Sequence, residues 1–89
     1  MSKYTVDYFI RKFEAIPAKE WCRGRYTDSS GRHCVLGHLG VTRGHHTDEY
    51  RGLRELFTDG CIVLISDDPS GHPRDNILRA LRALKKKAA

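Results

Sequence analysis

Apolar residues recur at helical spacing in three stretches of the chain. The first stretch follows Thr5, a good N-cap residue, and ends before Pro17, because the residue preceding a proline avoids helical backbone geometry. The second stretch follows Thr47, and the third begins with Pro73, which suits the first position of a helix. The pattern predicts three amphipathic helices. Their apolar faces are Val6, Phe9, Ile10 and Phe13; Tyr50, Leu53, Leu56 and Phe57; and Ile77, Leu81 and Leu84.

The segments between these helices are less regular. Residues 24–32 are rich in turn-forming residues and predict a loop, with a hairpin between Tyr26 and Val35 as the alternative. Residues 33–41 are apolar but include glycines, each of which costs a helix about 1 kcal/mol relative to alanine. Residues 61–65 form a short, β-branched apolar run, which predicts a buried strand or a buried connector.

The length of the chain suits one domain with one thin core. Of the 89 residues, 39% are hydrophobic and 30% are charged, which is a globular composition. A chain this short buries only about 60–65% of its surface on folding. We expect a small, mainly α single domain over residues 1–89, a bundle of three or four helices, with residues 85–89 as a frayed basic tail. The alternative is an α+β fold with one short strand or hairpin.

The excess positive charge of the chain lies at its C-terminus. The formal net charge is +5 at pH 7, yet residues 1–75 contain 11 basic and 11 acidic residues. A basic terminus is typical of a surface that binds nucleic acid or another polyanion. The alternative is a solvated helix end, whose cations complement the helix dipole at about 0.3–1 kcal/mol each. The cations in question are Arg79, Arg82, Lys85, Lys86 and Lys87.

The composition also indicates a compartment. No apolar run approaches the roughly 20 residues needed to span a bilayer, and charges interrupt the stretch where a signal peptide has its apolar centre. The three cysteines cannot all pair within one chain, which disfavours a disulfide scaffold and favours a reducing environment. We therefore expect a cytoplasmic protein that does not bind a membrane.

A structural zinc site is one interpretation of the cysteines. Cys34 and His38 are four residues apart and would share a helical face, and Cys22 and Cys61 would complete a set of four ligands. The sequence has no C-x-x-C pair, however, and cysteine is often buried without any metal. We expect neither stoichiometric zinc nor another cofactor.

Cysteine catalysis is a second interpretation. In this hypothesis Cys34 is the nucleophile, His72 is the base, and Asp67 orients the histidine. A buried thiol and a histidine that merely precedes Pro73 at a helix start explain the same residues. A chain this short has little room for a substrate cleft, which favours a protein without enzymatic activity.

Residues 37–40 have the sequence GxxG. This sequence resembles the loop by which KH domains hold single-stranded nucleic acid, where backbone amides approach the phosphates. KH domains usually carry a basic residue between the glycines, where this chain has His38 and Leu39. A close contact between two helices also explains two small residues at this spacing.

Several motifs follow one another along the chain: Trp21 and Gly24; Gly31, Cys34 and Gly37; the polar turn Ser66-Asp67; and a final amphipathic helix with Pro73, Ile77 and Leu81. Their order resembles a family of small, uncharacterised bacterial and phage proteins. The resemblance spans residues 9–84 and implies a compact helical domain in a bacterial or phage setting. It also implies that Trp21 and Cys34 belong to the shared core, and it implies no activity.

These patterns together predict a small basic interaction or accessory module with a regulatory role. Its partner is nucleic acid or another protein, and the C-terminal helix binds it, because the basic side chains project opposite the apolar face of that helix. The alternative function is a cysteine- or zinc-dependent enzyme centred on Cys34.

Overall fold

Five α-helices contain most of the residues that the structure describes. The structure is a computed structural model, and it describes residues 4–24, 26–41, 45–57 and 62–88. Within these ranges the chain forms isolated β-bridges but no strand, so the prediction of a small, mainly α fold is confirmed. The helices are α1 (Val6–Glu14), α2 (Val35–His38), α3 (Asp48–Leu56), α4 (Ile62–Ser66) and α5 (Pro73–Ala88), and a 3-10 turn spans Ala18–Glu20.

Two threonine caps begin α1 and α3 where the sequence predicts them. Thr5 Oγ1 accepts a hydrogen bond from the backbone N–H of Tyr8 at 3.1 Å, and Thr47 Oγ1 accepts one from Tyr50 at 3.2 Å. Each cap satisfies a backbone donor that the first turn of a helix leaves unpaired. Pro73 is the first residue of α5, also as predicted, because its missing N–H has no intrahelical partner to lose there.

The core lies where α5 packs against α1 and α4. Helix α5 contributes Ile77, Leu78 and Leu81, all of them buried. Leu78 lies outside the apolar face that the sequence predicts, and it is buried because α5 contacts more than one neighbouring helix. The Trp21 side chain, only 2% exposed, meets the Phe13 ring edge-on with 5.4 Å between ring centroids. The buried position predicted for Trp21 is confirmed.

The described part of the apolar run, residues 62–65, is not a strand. Residues Ile62–Ser66 form helix α4, and Cys61 lies outside the described residues. The helix buries Ile62 and Ser66, which are one turn apart, and leaves Leu64 74% exposed. The preference of β-branched residues for strands depends strongly on context, and packing of α4 against α5 overrides it here.

The loop between the 3-10 turn and α2 is held by backbone pairing. Trp21 and His33 form an isolated parallel bridge, and Thr27 and His33 form an isolated antiparallel one. These single bridges do not extend into strands within the part of the chain that the structure describes. The alternative of a hairpin between Tyr26 and Val35 is therefore wrong for these residues, since Val35 begins α2.

Arg74 connects the start of α5 to the end of α1. Its Nε donates a hydrogen bond to the backbone oxygen of Ile16 at 3.0 Å, and its Nη2 donates one to the backbone oxygen of Glu14 at 3.1 Å. The last carbonyl groups of a helix have no partner within the helix. The guanidinium therefore satisfies the last carbonyl of α1 and one carbonyl just beyond the helix, and it fixes the position of α5.

We expect Arg74→Met, which keeps an unbranched apolar stem, to lower the free energy of unfolding by about 1.5–3 kcal/mol, because the variant loses two charge-assisted hydrogen bonds. Arg74→Lys is the control that keeps the charge but cannot reach both carbonyls. Its free energy of unfolding should lie between those of the wild type and Arg74→Met. Urea unfolding measures both changes. A loss below about 0.5 kcal/mol for Arg74→Met would show that Arg74 does not hold the two helices together.

Candidate binding surface on helix α5

The five cations near the C-terminus of α5 fall into two groups, and salt bridges define the first. Arg82 Nη2 lies 3.1 Å from Glu14 Oε2, and Lys85 Nζ lies 2.8 Å from Asp7 Oδ1. Both acids belong to α1, so these two cations connect the helices. The hydrogen bond and the charge of Lys85 hold the pKa of the Asp7 carboxyl below its usual value.

The second group, Arg79, Lys86 and Lys87, is here named the exposed basic face. All three side chains are exposed, as predicted for Arg79 and Lys86, and none of them forms a salt bridge with a described residue. Arg79 and Lys86 are seven residues apart, so they lie on nearly the same side of the helix, separated by about 10.5 Å along its axis. The buried Ile77 and Leu81 lie on the opposite side.

The sequence does not reveal which cations are paired. Its pattern places Arg82 in one stripe with Arg79 and Lys86, whereas the structure holds Arg82 against Glu14. No local signal could identify the acids on α1 as partners, because they approach α5 only in the tertiary structure. Helix α5 continues through Ala88. Fraying of residues 85–89 and the single-domain organisation of the whole chain stay predictions.

The residues of the alternative zinc site do not gather into a ligand set within the described chain. Both Cys22 and Cys34 are buried, and the Cys22 thiol donates to the backbone oxygen of Arg32 with 3.4 Å between sulfur and oxygen. Burial raises the pKa of the Cys22 thiol, which disfavours the thiolate that binds zinc. No three His, Cys, Asp or Glu residues lie close enough to hold a metal ion in the ranges described, and Cys61 is outside them.

The residues of the alternative catalytic site are brought together only in part. Cys34 and Asp67 line one cavity, whereas His72 lines another together with Cys22. Their hydrogen bonds also keep His72 and Asp67 apart. His72 Nδ1 accepts a hydrogen bond from the backbone N–H of Arg74. Asp67 Oδ2 accepts one from the backbone N–H of Gly24. Asp67 therefore holds a loop, and the structure gives it no hydrogen bond with His72.

Two aromatic rings lie against the ring of His38, one tilted and one edge-on. Its ring centroid lies 4.5 Å from that of Trp21 and 5.3 Å from that of His33. The Nε2–H of His38 donates a hydrogen bond to the backbone oxygen of Glu20 at 3.1 Å. Burial lowers the pKa of His38 below its usual value of 6.5, and the charge of His33 lowers the pKa further.

We expect the folded protein to lose stability as the pH falls below about 6.5, because the unfolded state then binds a proton at His38 while the folded state keeps the ring neutral. His38→Gln keeps an N–H donor for Glu20 and removes this titration. The melting temperature should therefore fall less in His38→Gln than in the wild type between about pH 7.5 and pH 5.5. An equal fall in the melting temperature of both proteins would show that His38 does not cause the loss of stability.

Comparison with known proteins adds no relative. A scan against protein-family models, a search of curated proteins and a search of solved structures each found no match for the chain. Over the described ranges, no helix combines the length and the apolar character that crossing a membrane requires.

Proposed function

We propose that this chain is a small basic accessory module that binds the phosphate backbone of nucleic acid through the exposed basic face. One observation carries the proposal: Arg79, Lys86 and Lys87 are exposed on one helix, and no described acid forms a salt bridge with them. These cations can contact a polyanion without first breaking an ion pair. Arg82 and Lys85, by contrast, would have to leave their partners on α1.

The chemistry of this face favours phosphate over a protein partner. The cores of protein interfaces are enriched in aromatic side chains and depleted of lysine, whereas two of the three residues of the exposed basic face are lysines and none is aromatic. The large apolar side chains that are exposed in the described chain, Tyr8, Tyr26 and Leu64, all lie outside α5. Contacts with phosphates carry no sequence information, so the proposed binding is weak and independent of sequence. A regulatory role in a bacterial or phage setting belongs to the same proposal.

A charge-matched pair of variants tests the proposal. The first variant changes the exposed basic face to Gln at Arg79, Lys86 and Lys87, and the control changes Arg11, Arg51 and Arg54, which are exposed on α1 and α3. Both variants lose the same net charge. Fluorescence anisotropy measures their binding to a labelled DNA duplex of about 20 base pairs at about 50 mM salt, where surface charges are weakly screened.

We expect the first variant to lose most of the binding and the control to keep most of it, because phosphates contact one face rather than the whole surface. An equal loss in the two variants would show that only the net charge matters and would contradict the proposal. Absence of binding by the wild type would also contradict it, and a protein partner would then be the better hypothesis.

A further inference from the structure

A cavity of about 350 Å³ lies apart from the exposed basic face, between the loop that follows Trp21 and the helices α2 and α4. Its volume is near the lower end of the range found for small-molecule sites, about 300–1,000 Å³. Leu36, Val63 and the buried Cys34 make much of its wall apolar, and Asp67 is the only charged residue in the described lining. The remaining lining residues are Gly24 and Tyr26.

The Asp67 carboxylate has one oxygen without a partner. Its Oδ2 accepts a hydrogen bond from the backbone N–H of Gly24 at 3.0 Å, which fixes the carboxylate beside the cavity. Its Oδ1 is buried and has no hydrogen-bond partner, and no other side-chain nitrogen or oxygen of the described chain is in this condition. Native proteins leave few buried acceptors unpaired, because such an atom has lost its hydrogen bonds to water and forms none within the protein. No described residue therefore donates a hydrogen bond to Asp67 Oδ1.

Tyr26 gives the cavity a second residue that can attract cations. Tyr26 lines the cavity and is 42% exposed, so it lies at the opening rather than in the core. The face of an aromatic ring attracts an ammonium group, and a carboxylate nearby adds to that attraction. A cation with an apolar part suits this lining, because its charge is attracted by the acid and the aromatic ring and its apolar part packs against the aliphatic wall.

We propose that this cavity binds a small alkylammonium ion. The ammonium group pairs with the Asp67 carboxylate, which turns its buried Oδ1 toward the cavity to accept a hydrogen bond, and the alkyl part packs against Leu36 and Val63 near Tyr26. A bare metal ion fits this lining less well, because it would leave the aliphatic wall unused and would find no group of three candidate ligands among the described residues. A free amine and the side chain of a lysine in a peptide share the proposed chemistry.

Nuclear magnetic resonance of the 89-residue chain tests the proposal with three six-carbon probes. n-Hexylammonium is the ligand probe, 1-hexanol is the neutral control, and hexanoate is the anionic control. We expect hexylammonium to shift the amide resonances of Gly24 and Val63 in a saturable manner and to bind roughly tenfold or more tightly than 1-hexanol, because a hydrogen bond to a charged group has about that effect. This comparison uses only the wild type, so it does not depend on the folding of any variant.

Asp67→Asn provides the second arm of the test, because asparagine keeps an oxygen for the Gly24 N–H and removes the charge. We expect it to weaken hexylammonium binding by roughly tenfold or more and to leave 1-hexanol binding unchanged. The variant of the exposed basic face at Arg79, Lys86 and Lys87 should bind hexylammonium like the wild type, so this proposal and the proposed function can fail separately.

An acetylated, amidated lysine then distinguishes the two sources of the ligand. Competition with hexylammonium indicates a lysine side chain, and absence of competition indicates a free amine. Hexylammonium binding that is no tighter than 1-hexanol binding would overturn the proposal. Resonance shifts that lie away from the cavity, or that are unchanged in Asp67→Asn, would overturn it as well.

Discussion

Replacing Trp21 with alanine is expected to lower the free energy of unfolding by about 3–5 kcal/mol, the range typical for truncation of a buried tryptophan. The Trp21 ring contacts Phe13 and His38 at centroid distances of 5.4 and 4.5 Å. Its Nε1–H donates a hydrogen bond to the backbone oxygen of Ile16 at 3.4 Å. Alanine leaves a cavity where α1, α2 and the loop between them meet. Because small domains have only about 5–15 kcal/mol of stability in total, the melting temperature should fall by more than about 10 °C.

Two further variants are the controls for Trp21→Ala. Trp21→Phe keeps a large ring and should lose clearly less stability than alanine does. Leu64→Ala also shortens a large apolar side chain, but Leu64 is 74% exposed, so we expect a change within about 0.5 kcal/mol. Urea and thermal unfolding measure all three. A Trp21→Ala protein that unfolds at the wild-type temperature would contradict the position of Trp21 in the core.

Gly37→Ala is expected to destabilise the protein by about 1–3 kcal/mol, although alanine is the better helix former. An added Cβ at Gly37 would meet the backbone oxygen of Tyr26 and would lie 2.9 Å from Cβ of His33. A backbone oxygen cannot rotate away as the end of a flexible side chain can, so the loop and α2 would have to separate. The measurement is the urea midpoint of Gly37→Ala against the wild type.

The sign of this change separates two effects. Helix propensity alone predicts that Gly37→Ala gains about 1 kcal/mol, whereas the close contact predicts a loss. A gain would therefore contradict the packing of α2 against the loop. The contact also supports a packing role for the first glycine of the GxxG sequence. The second glycine, Gly40, has a φ of +78°, a backbone conformation that favours glycine.

The starts of α1, α3 and α5 could be predicted from the sequence because their signals act within one helical turn. The side chains of Thr5 and Thr47 bond to backbone groups three residues ahead, and Pro73 suits the first position of a helix wherever that helix packs. The apolar spacing then gives the buried side of each helix. These features require no knowledge of the tertiary structure.

The remaining features depend on contacts between distant parts of the chain. The β-branched run at 61–65 leaves a buried strand and a buried connector open, and packing against α5 explains why its described residues form a helix. The ion pairs of Arg82 and Lys85 divide the C-terminal cations in a way that the charge pattern does not show. The position of Asp67 beside Gly24 likewise arises from folding, because each residue alone reads as part of a turn.

The salt dependence of DNA binding tests the role of the exposed basic face most directly. Each phosphate that a cation neutralises contributes about −0.9 to the slope of log affinity against log salt concentration, so three cations predict a slope of about −2.7. Lys86→Gln should reduce the slope to about −1.8, whereas Lys85→Gln should leave it near −2.7 because Lys85 is held by Asp7. A wild-type slope near zero, or the same change of slope in both variants, would contradict phosphate binding by the exposed basic face.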